Sequence, residues 1–200
     1  MKLNTLLFTV FLISTFSFSQ EKDDLFNMIE QEEKKIELLP EKMIFTQSLL
    51  WGKKGLLRKT GISPLNLENR QKELKIRKTM LTTHQAIGYL TLASMIAQGI
   101  IGGKLYNGDE SLRSTHNTMG KVVNIGYFTG AGLSLFSPPP LINKKVKGFN
   151  SIKAHKILAT VHFSAMVATN YYKDKNKSNH KAAAYTAFAS YATAVLVIKF

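Results

Sequence analysis

The chain has 200 residues, of which 44% are hydrophobic, a formal net charge of +14 and no cysteine. The missing cysteine excludes disulfides, thiolate-held iron–sulfur clusters, covalent c-type haem attachment and an acylated lipoprotein anchor. The positive charge would suit nucleic acid, but most lysines lie between long apolar blocks. There they would flank membrane spans and meet lipid headgroups or cofactor carboxylates, so no nucleic-acid partner is expected.

Residues 1–19 read as a signal peptide. Lys2 supplies the positive start, Leu6 to Phe18 the apolar run, and Ser17-Phe18-Ser19 small residues at the cleavage positions. An uncleaved anchor helix is the alternative. Residues 20–77 form a charged, exported segment of helix and loop. Its first part, Glu21 to Lys42, carries Phe26, Ile29, Ile36 and Leu39 at loose helical spacing. It reads either as a short amphipathic helix ending near Pro40 or as a solvated linker. Residues 43–66 include Trp51-Gly52-Lys53-Lys54-Gly55. No strand–GxxxxGK[ST]–helix context makes this a phosphate loop, and it reads as a loop or a short interfacial segment with Trp51 in the headgroup layer. Residues 67–80 are basic, have high helix propensity and run into the first apolar block.

Residues 78–200 hold four nearly charge-free blocks: 85–103, 122–143, 157–172 and 182–198. Pro138-Pro139-Pro140 must end the second helix near Ser137. The blocks reach membrane-spanning length only with help from flanking histidines and snorkelling lysines. They are rich in small residues, which let membrane helices pack closely. Short connections make neighbours antiparallel. The fold class is therefore all-α, a membrane four-helix up-down bundle. A soluble bundle with an unusually apolar surface is the alternative.

His84, His116, His155 and His180 each open one block, and each is followed four residues later by a small residue: Gly88, Gly120, Ala159 and Ala184. Positions i and i+4 share a helix face, so each imidazole stands beside a notch. That setting suits a flat macrocycle whose iron takes an imidazole ligand. With the histidines at helix starts, His84 and His155 share one membrane face, and His116 and His180 the other. The expectation is haem b, one or two per chain, held non-covalently with these four as axial ligands. Interfacial histidines without a cofactor are the bland alternative. Zinc or copper is less favoured, because the acids near the bundle (Asp109, Glu110 and Asp174) lie in loops. His162, two turns beyond His155, reads as a replacement ligand, a quinone or propionate contact, or a buried histidine hydrogen-bonded across the bundle. Propionate partners would be Arg77, Lys78, Lys153 and Lys156 on one face, and Arg113, Lys121 and Lys181 on the other.

The order Thr83-His84-Gln85-Ala86-Ile87-Gly88, Thr115-His116-Asn117-Thr118-Met119-Gly120, Ala154-His155-Lys156-Ile157-Leu158-Ala159 and Asn179-His180-Lys181-Ala182-Ala183-Ala184 resembles the cytochrome b561 superfamily over residues 78–200. The resemblance implies four helices, two b haems, ligand pairs from the first with the third and the second with the fourth helix, and transmembrane electron transfer. No ascorbate-binding motif is evident, so ascorbate is not implied as donor. Residues 20–77 have no counterpart in the family core.

The function expected is that of a di-haem b-type electron carrier, a possible transmembrane oxidoreductase. It would be a multi-pass protein of a bacterial inner membrane, with lipid around it and a quinone or a periplasmic redox protein as partner. The signal segment places the N-terminal part outside, whereas the lysine distribution favours the opposite orientation. The alternative is a cofactor-free membrane anchor or assembly protein that binds a partner through residues 20–77.

Overall fold

The computed structural model describes residues 37–141 and 149–198. The expected signal segment, and the expected amphipathic helix as far as residue 36, lie outside the described residues. Residues 37–44 are not helical. Among the described residues the secondary structure is entirely helical. Two short helices, α1 (Phe45–Trp51) and α2 (Leu56–Lys59), precede four long ones: α3 (Leu67–Tyr106), α4 (Arg113–Leu135), α5 (Ser151–Tyr172) and α6 (Lys177–Val197). A 3₁₀ turn, Glu110–Leu112, leads into α4.

Three of the long helices start on an asparagine cap. Asn66, Asn150 and Asn176 accept the backbone N–H of Asn69, Lys153 and Asn179 at 2.9, 3.0 and 2.9 Å, each satisfying a donor that the helix leaves open. The first cap corrects an expectation. Because α3 starts at Leu67, His84 lies deep inside a 40-residue helix rather than at its N-terminus. Residues 67–80 are good helix formers with a cap in front, and nothing interrupts them before the apolar block. The other three histidines do fall in the first turns of α4, α5 and α6. α4 ends at Leu135 against the proline run, as expected.

The long helices form two hairpins, α3–α4 and α5–α6, with α3 also packing against α6. Contacts across α4 and α5 complete the ring: Asn170 Nδ2 donates to Asn124 Oδ1 at 2.7 Å, and Tyr127 Oη shares a hydrogen bond with His162 Nδ1 at 2.6 Å. Neighbours run antiparallel, since early residues of each helix meet late residues of the next (Gln98 with His116, His155 with Ala194, Gly88 with Tyr191).

The core follows one register counted from the histidines. Offset 4 holds Gly88, Gly120, Ala159 and Ala184. Offset 7 holds Thr91, Val123, His162 and Ala187; offset 11 holds Met95, Tyr127, Met166 and Tyr191; and offset 14 holds Gln98, Gly130, Thr169 and Ala194. Alternating steps of four and three are the a/d seam of a helix bundle, and the buried hydrophobic cluster is drawn from these positions together with Ala165 and Phe188. Away from that seam the helices are apolar and bare. Leu90 and Ile125 are each 69% exposed and Leu196 79%. By length and composition α3 is able to cross a membrane, with a mean hydropathy of 1.4 over its most apolar stretch, and it is the one described helix that is.

A collar closes the end of the bundle from which α3 enters. Arg70 and Glu73 on α3 are each 1% exposed. Glu73 takes charge-assisted hydrogen bonds from Arg58 and Arg70 and a hydrogen bond from Ser63 Oγ at 2.5 Å. Arg70 reaches on to the carbonyls of Leu38 (2.7 Å), Pro139 (3.2 Å) and Pro140 (3.3 Å), and Arg77 Nη1 donates to Pro138 O at 2.7 Å. Thr46 Oγ1 donates to Leu135 O at 2.5 Å and Trp51 Nε1 to Phe136 O at 3.0 Å. These bonds satisfy the carbonyls that the end of α4 leaves open. Trp51 is thus buried within the collar, not placed in a headgroup layer as its flanking lysines suggested. Its indole N–H has a fixed acceptor that only the fold supplies.

Candidate functional site

The sequence-predicted residues come together as two histidine layers with an aromatic layer between them. At one end, the rings of His116 (α4) and His180 (α6) stand 6.2 Å apart between centroids with their planes at 82°. At the collar end, His84 (α3) and His155 (α5) are tied to late turns of α4 and α6 through Gly130 and Ala194. The approach of His116 to His180 is the one expected from the sequence for its end, and it joins helices that stand diagonally across the bundle.

Three of the four rings are held in one way. His84 Nδ1 donates to Gly130 O at 2.8 Å, His155 Nδ1 to Ala194 O at 3.0 Å and His180 Nδ1 to Thr169 O at 2.9 Å. In each case the acceptor belongs to the other helix of the same hairpin and occupies that helix's offset-14 position. A donating Nδ1 fixes the neutral tautomer that leaves Nε2 with its lone pair free, the arrangement typical of metal-ligating histidines. His116 is the exception. The offset-14 residue opposite it is Gln98, whose side chain reaches it instead: Nε2 donates to His116 O at 3.1 Å and approaches His116 Nε2 at 3.4 Å. His116 Nδ1 and Gln98 Oε1 are buried with no partner. His116 also lies flat against Gly102, where a Cβ would stand 2.8 Å from its Cε1.

The notches beside the rings are filled from across the bundle. Tyr191 Oη donates to Gly88 O at 3.2 Å and lies 3.6 Å from where a Cβ of Gly88 would stand. Gln98 Nε2 lies 3.2 Å from the corresponding point of Gly120. Ala159 and Ala184 are half-buried on the seam. A shallow open groove does exist, but on the α5–α6 hairpin, lined by Thr160, Ser164, Ala168, Ala183 and Thr186 and by no histidine. Among the described residues no three His, Cys, Asp or Glu side chains cluster as a metal site.

Between the layers lies an aromatic group that the sequence did not resolve as a unit. His162 takes the cross-bundle hydrogen bond to Tyr127, and its ring lies 5.1 Å from that of Tyr191 and 5.6 Å from that of Tyr127. The hydrogen bond across the bundle that is one of the readings for His162 is present. The signal was present as matching offset-11 tyrosines on α4 and α6, visible only once the register is counted from each histidine. Of the candidate propionate partners, Arg77 is committed to the collar, Arg113 pairs with Glu110, and Lys181 Nζ lies 3.9 Å over the ring of Tyr106. Comparison with family models, with curated proteins and with solved structures finds no match.

Proposed function

We propose that this protein is a membrane-embedded b-type cytochrome that carries electrons through a four-helix bundle, with His84/His155 and His116/His180 as two pairs of axial ligands. The observation that carries the reading is the His116/His180 pair. Two imidazoles that share one metal atom through bonds of about 2.0–2.1 Å have ring centres roughly 6 Å apart, and these stand at 6.2 Å and nearly perpendicular. The orphaned His116 Nδ1 beside it is a donor awaiting rearrangement, as expected of a site completed by a ligand. When bound, haem would supply one-electron chemistry.

The chain's own part is orientation and burial. The carbonyls of Gly130, Ala194 and Thr169 hold three rings in the ligand tautomer. Thr91, Met95, Val123, Met166 and Ala187 keep water out of the space between the layers. The bare apolar faces of α3 to α6 meet lipid, all four helices crossing the membrane although α4 to α6 are individually weak spans. Histidines and small residues on the seam lower their mean hydropathy, as do outward hydroxyls such as Thr160, Thr186 and Thr193, each bonded to a carbonyl one turn back. The resemblance to the cytochrome b561 superfamily supports the same pairing. A quinone pool and an exported redox protein suit the two ends, in a bacterial inner membrane with the collar outside.

A cofactor-free anchor or assembly protein is the second reading, favoured by the filling of the Gly88 and Gly120 notches by Tyr191 and Gln98. The two part on a simple series. In the first reading His180→Ala and His84→Ala each lower haem content to about half with unchanged helical circular dichroism, and the double variant binds none. In the second, neither wild type nor variants bind haem, and the substitutions leave membrane association intact.

A further inference from the structure

The outer face of the collar has a character its inner face lacks. α1 turns Gln47 and Trp51 inward, while Phe45 and Leu49, one turn apart on the other side, are 79% and 45% exposed. Ile44 beside them is also exposed. From Lys42 to Leu67 the chain carries Lys42, Lys53, Lys54, Arg58 and Lys59 and not one acid. Arg58 is used by Glu73, whereas Lys53, Lys54 and Lys59 are exposed.

This face continues a larger one. Val122, Ile125, Phe128 and Leu135 form a bare apolar stripe along α4 at helical spacing, with Phe136 just beyond. Its last two residues are those to which Thr46 and Trp51 are bonded. α1 therefore lies against the end of the stripe. Its depth is set by the same contacts. Gly130 lies level with His84, so Leu135 lies about five residues nearer the collar, roughly 8 Å at 1.5 Å per residue. That is the distance over which a bilayer passes from hydrocarbon to headgroups.

We infer that α1 is an interfacial element that docks on an anionic lipid surface, with Phe45 and Leu49 dipping toward the acyl chains and Lys53 and Lys54 meeting headgroup phosphates. The inference rests on the reading of the bundle as membrane-spanning, and not on haem. An apolar pair rimmed by lysines, with the nearest acids, Glu41 and Glu68, beyond the two ends of the stretch, is the composition of interfacial helices. Each lysine near an anionic surface strengthens attachment by about fivefold.

The chain has no cysteine, so single nitroxide labels test this directly in the full-length protein. Labels are placed on Phe45→Cys and, separately, on Leu49→Cys. Ile125→Cys serves as the reference within lipid and Glu68→Cys as the reference in water. Each is reconstituted into nanodiscs of phosphatidylcholine with and without phosphatidylglycerol, and its accessibility to oxygen and to a water-soluble nickel chelate is compared. Labels at 45 and 49 should follow the label at 125, more strongly with phosphatidylglycerol, and Lys53→Glu/Lys54→Glu should shift them severalfold toward the chelate. Labels at 45 and 49 as chelate-accessible as that at 68, with 125 still in lipid, would overturn the inference and leave this face to a soluble partner. A chelate-accessible label at 125 would instead overturn the membrane reading, and the docking with it.

Discussion

The collar and the bundle solve burial in opposite ways. In the collar, full charges are buried: Glu73 pairs with both Arg58 and Arg70, which donate further to the backbone carbonyls of Trp51, Leu38, Pro139 and Pro140, while Arg58 Nε stays without a partner. In the bundle the polar groups on the seam are imidazoles, hydroxyls, phenols and amides, and three of their atoms, Thr91 Oγ1, Gln98 Oε1 and His116 Nδ1, stay buried without partners. Charges paired between converging elements fix an architecture. Unpaired buried polar atoms occur in both regions, so what separates them is ion pairing in the collar against seam packing of helices in the bundle.

The largest effect should come from the collar's acid. Glu73→Ala leaves two arginines buried without their counter-ion, which costs about 3–5 kcal/mol. It should lower the thermal midpoint in detergent sharply while the isolated bundle helices keep their circular dichroism. Acid should act on the same point. Burial raises the Glu73 carboxyl, but hydrogen bonds from Arg58, Ser63 and Arg70 and the charge of Arg58 outweigh it and hold the group below the ordinary carboxylate range. A carboxyl depressed in the folded state stabilises above its unfolded pKa and loses that contribution as pH falls through the folded value. Unfolding midpoints measured downward from neutral pH should therefore stay level to the ordinary carboxylate range and fall below it, and Glu73→Gln should flatten that fall.

Within the bundle, the closest helix contact is Gly126 on Thr91, whose Oγ1 lies 2.5 Å from where a Cβ would stand. Gly126→Ala should cost about 1–3 kcal/mol by overpacking. Thr91→Ala in the same chain should restore much of it, a coupling that a double-mutant cycle measures. Trp51→Phe leaves Phe136 O without its donor and should cost about 1–3 kcal/mol, at the lower end where water reaches the carbonyl. The smallest change is Tyr191→Phe, which removes the bond to Gly88 O and should cost about 0.5–1.5 kcal/mol.

The difference between the regions also explains what could be read from the sequence. The bundle repeats one local rule, a histidine followed by a small residue a turn later, and local rules survive in a linear string. The four helices, the helix stop before Pro138 and the approach of His116 to His180 were legible on that basis. The occupants of the notches were not, because Tyr191 and Gln98 reach Gly88 and Gly120 from other helices. The collar left no local trace. Arg58, Ser63 and Glu73 lie on different elements, and a charged stretch with a tryptophan reads as solvated until a proline run far along the chain supplies its acceptors. His84 opens its apolar block but not its helix, because the helix-forming residues 67–80 run into that block from the Asn66 cap.

The most direct test of the account is a reduced-minus-oxidised visible spectrum of the full-length protein purified in detergent after expression with haem supplied, with haem quantified per chain. The account predicts a sharp b-type α-band and two haems per chain. A chain that remains fully helical and carries no haem would contradict it.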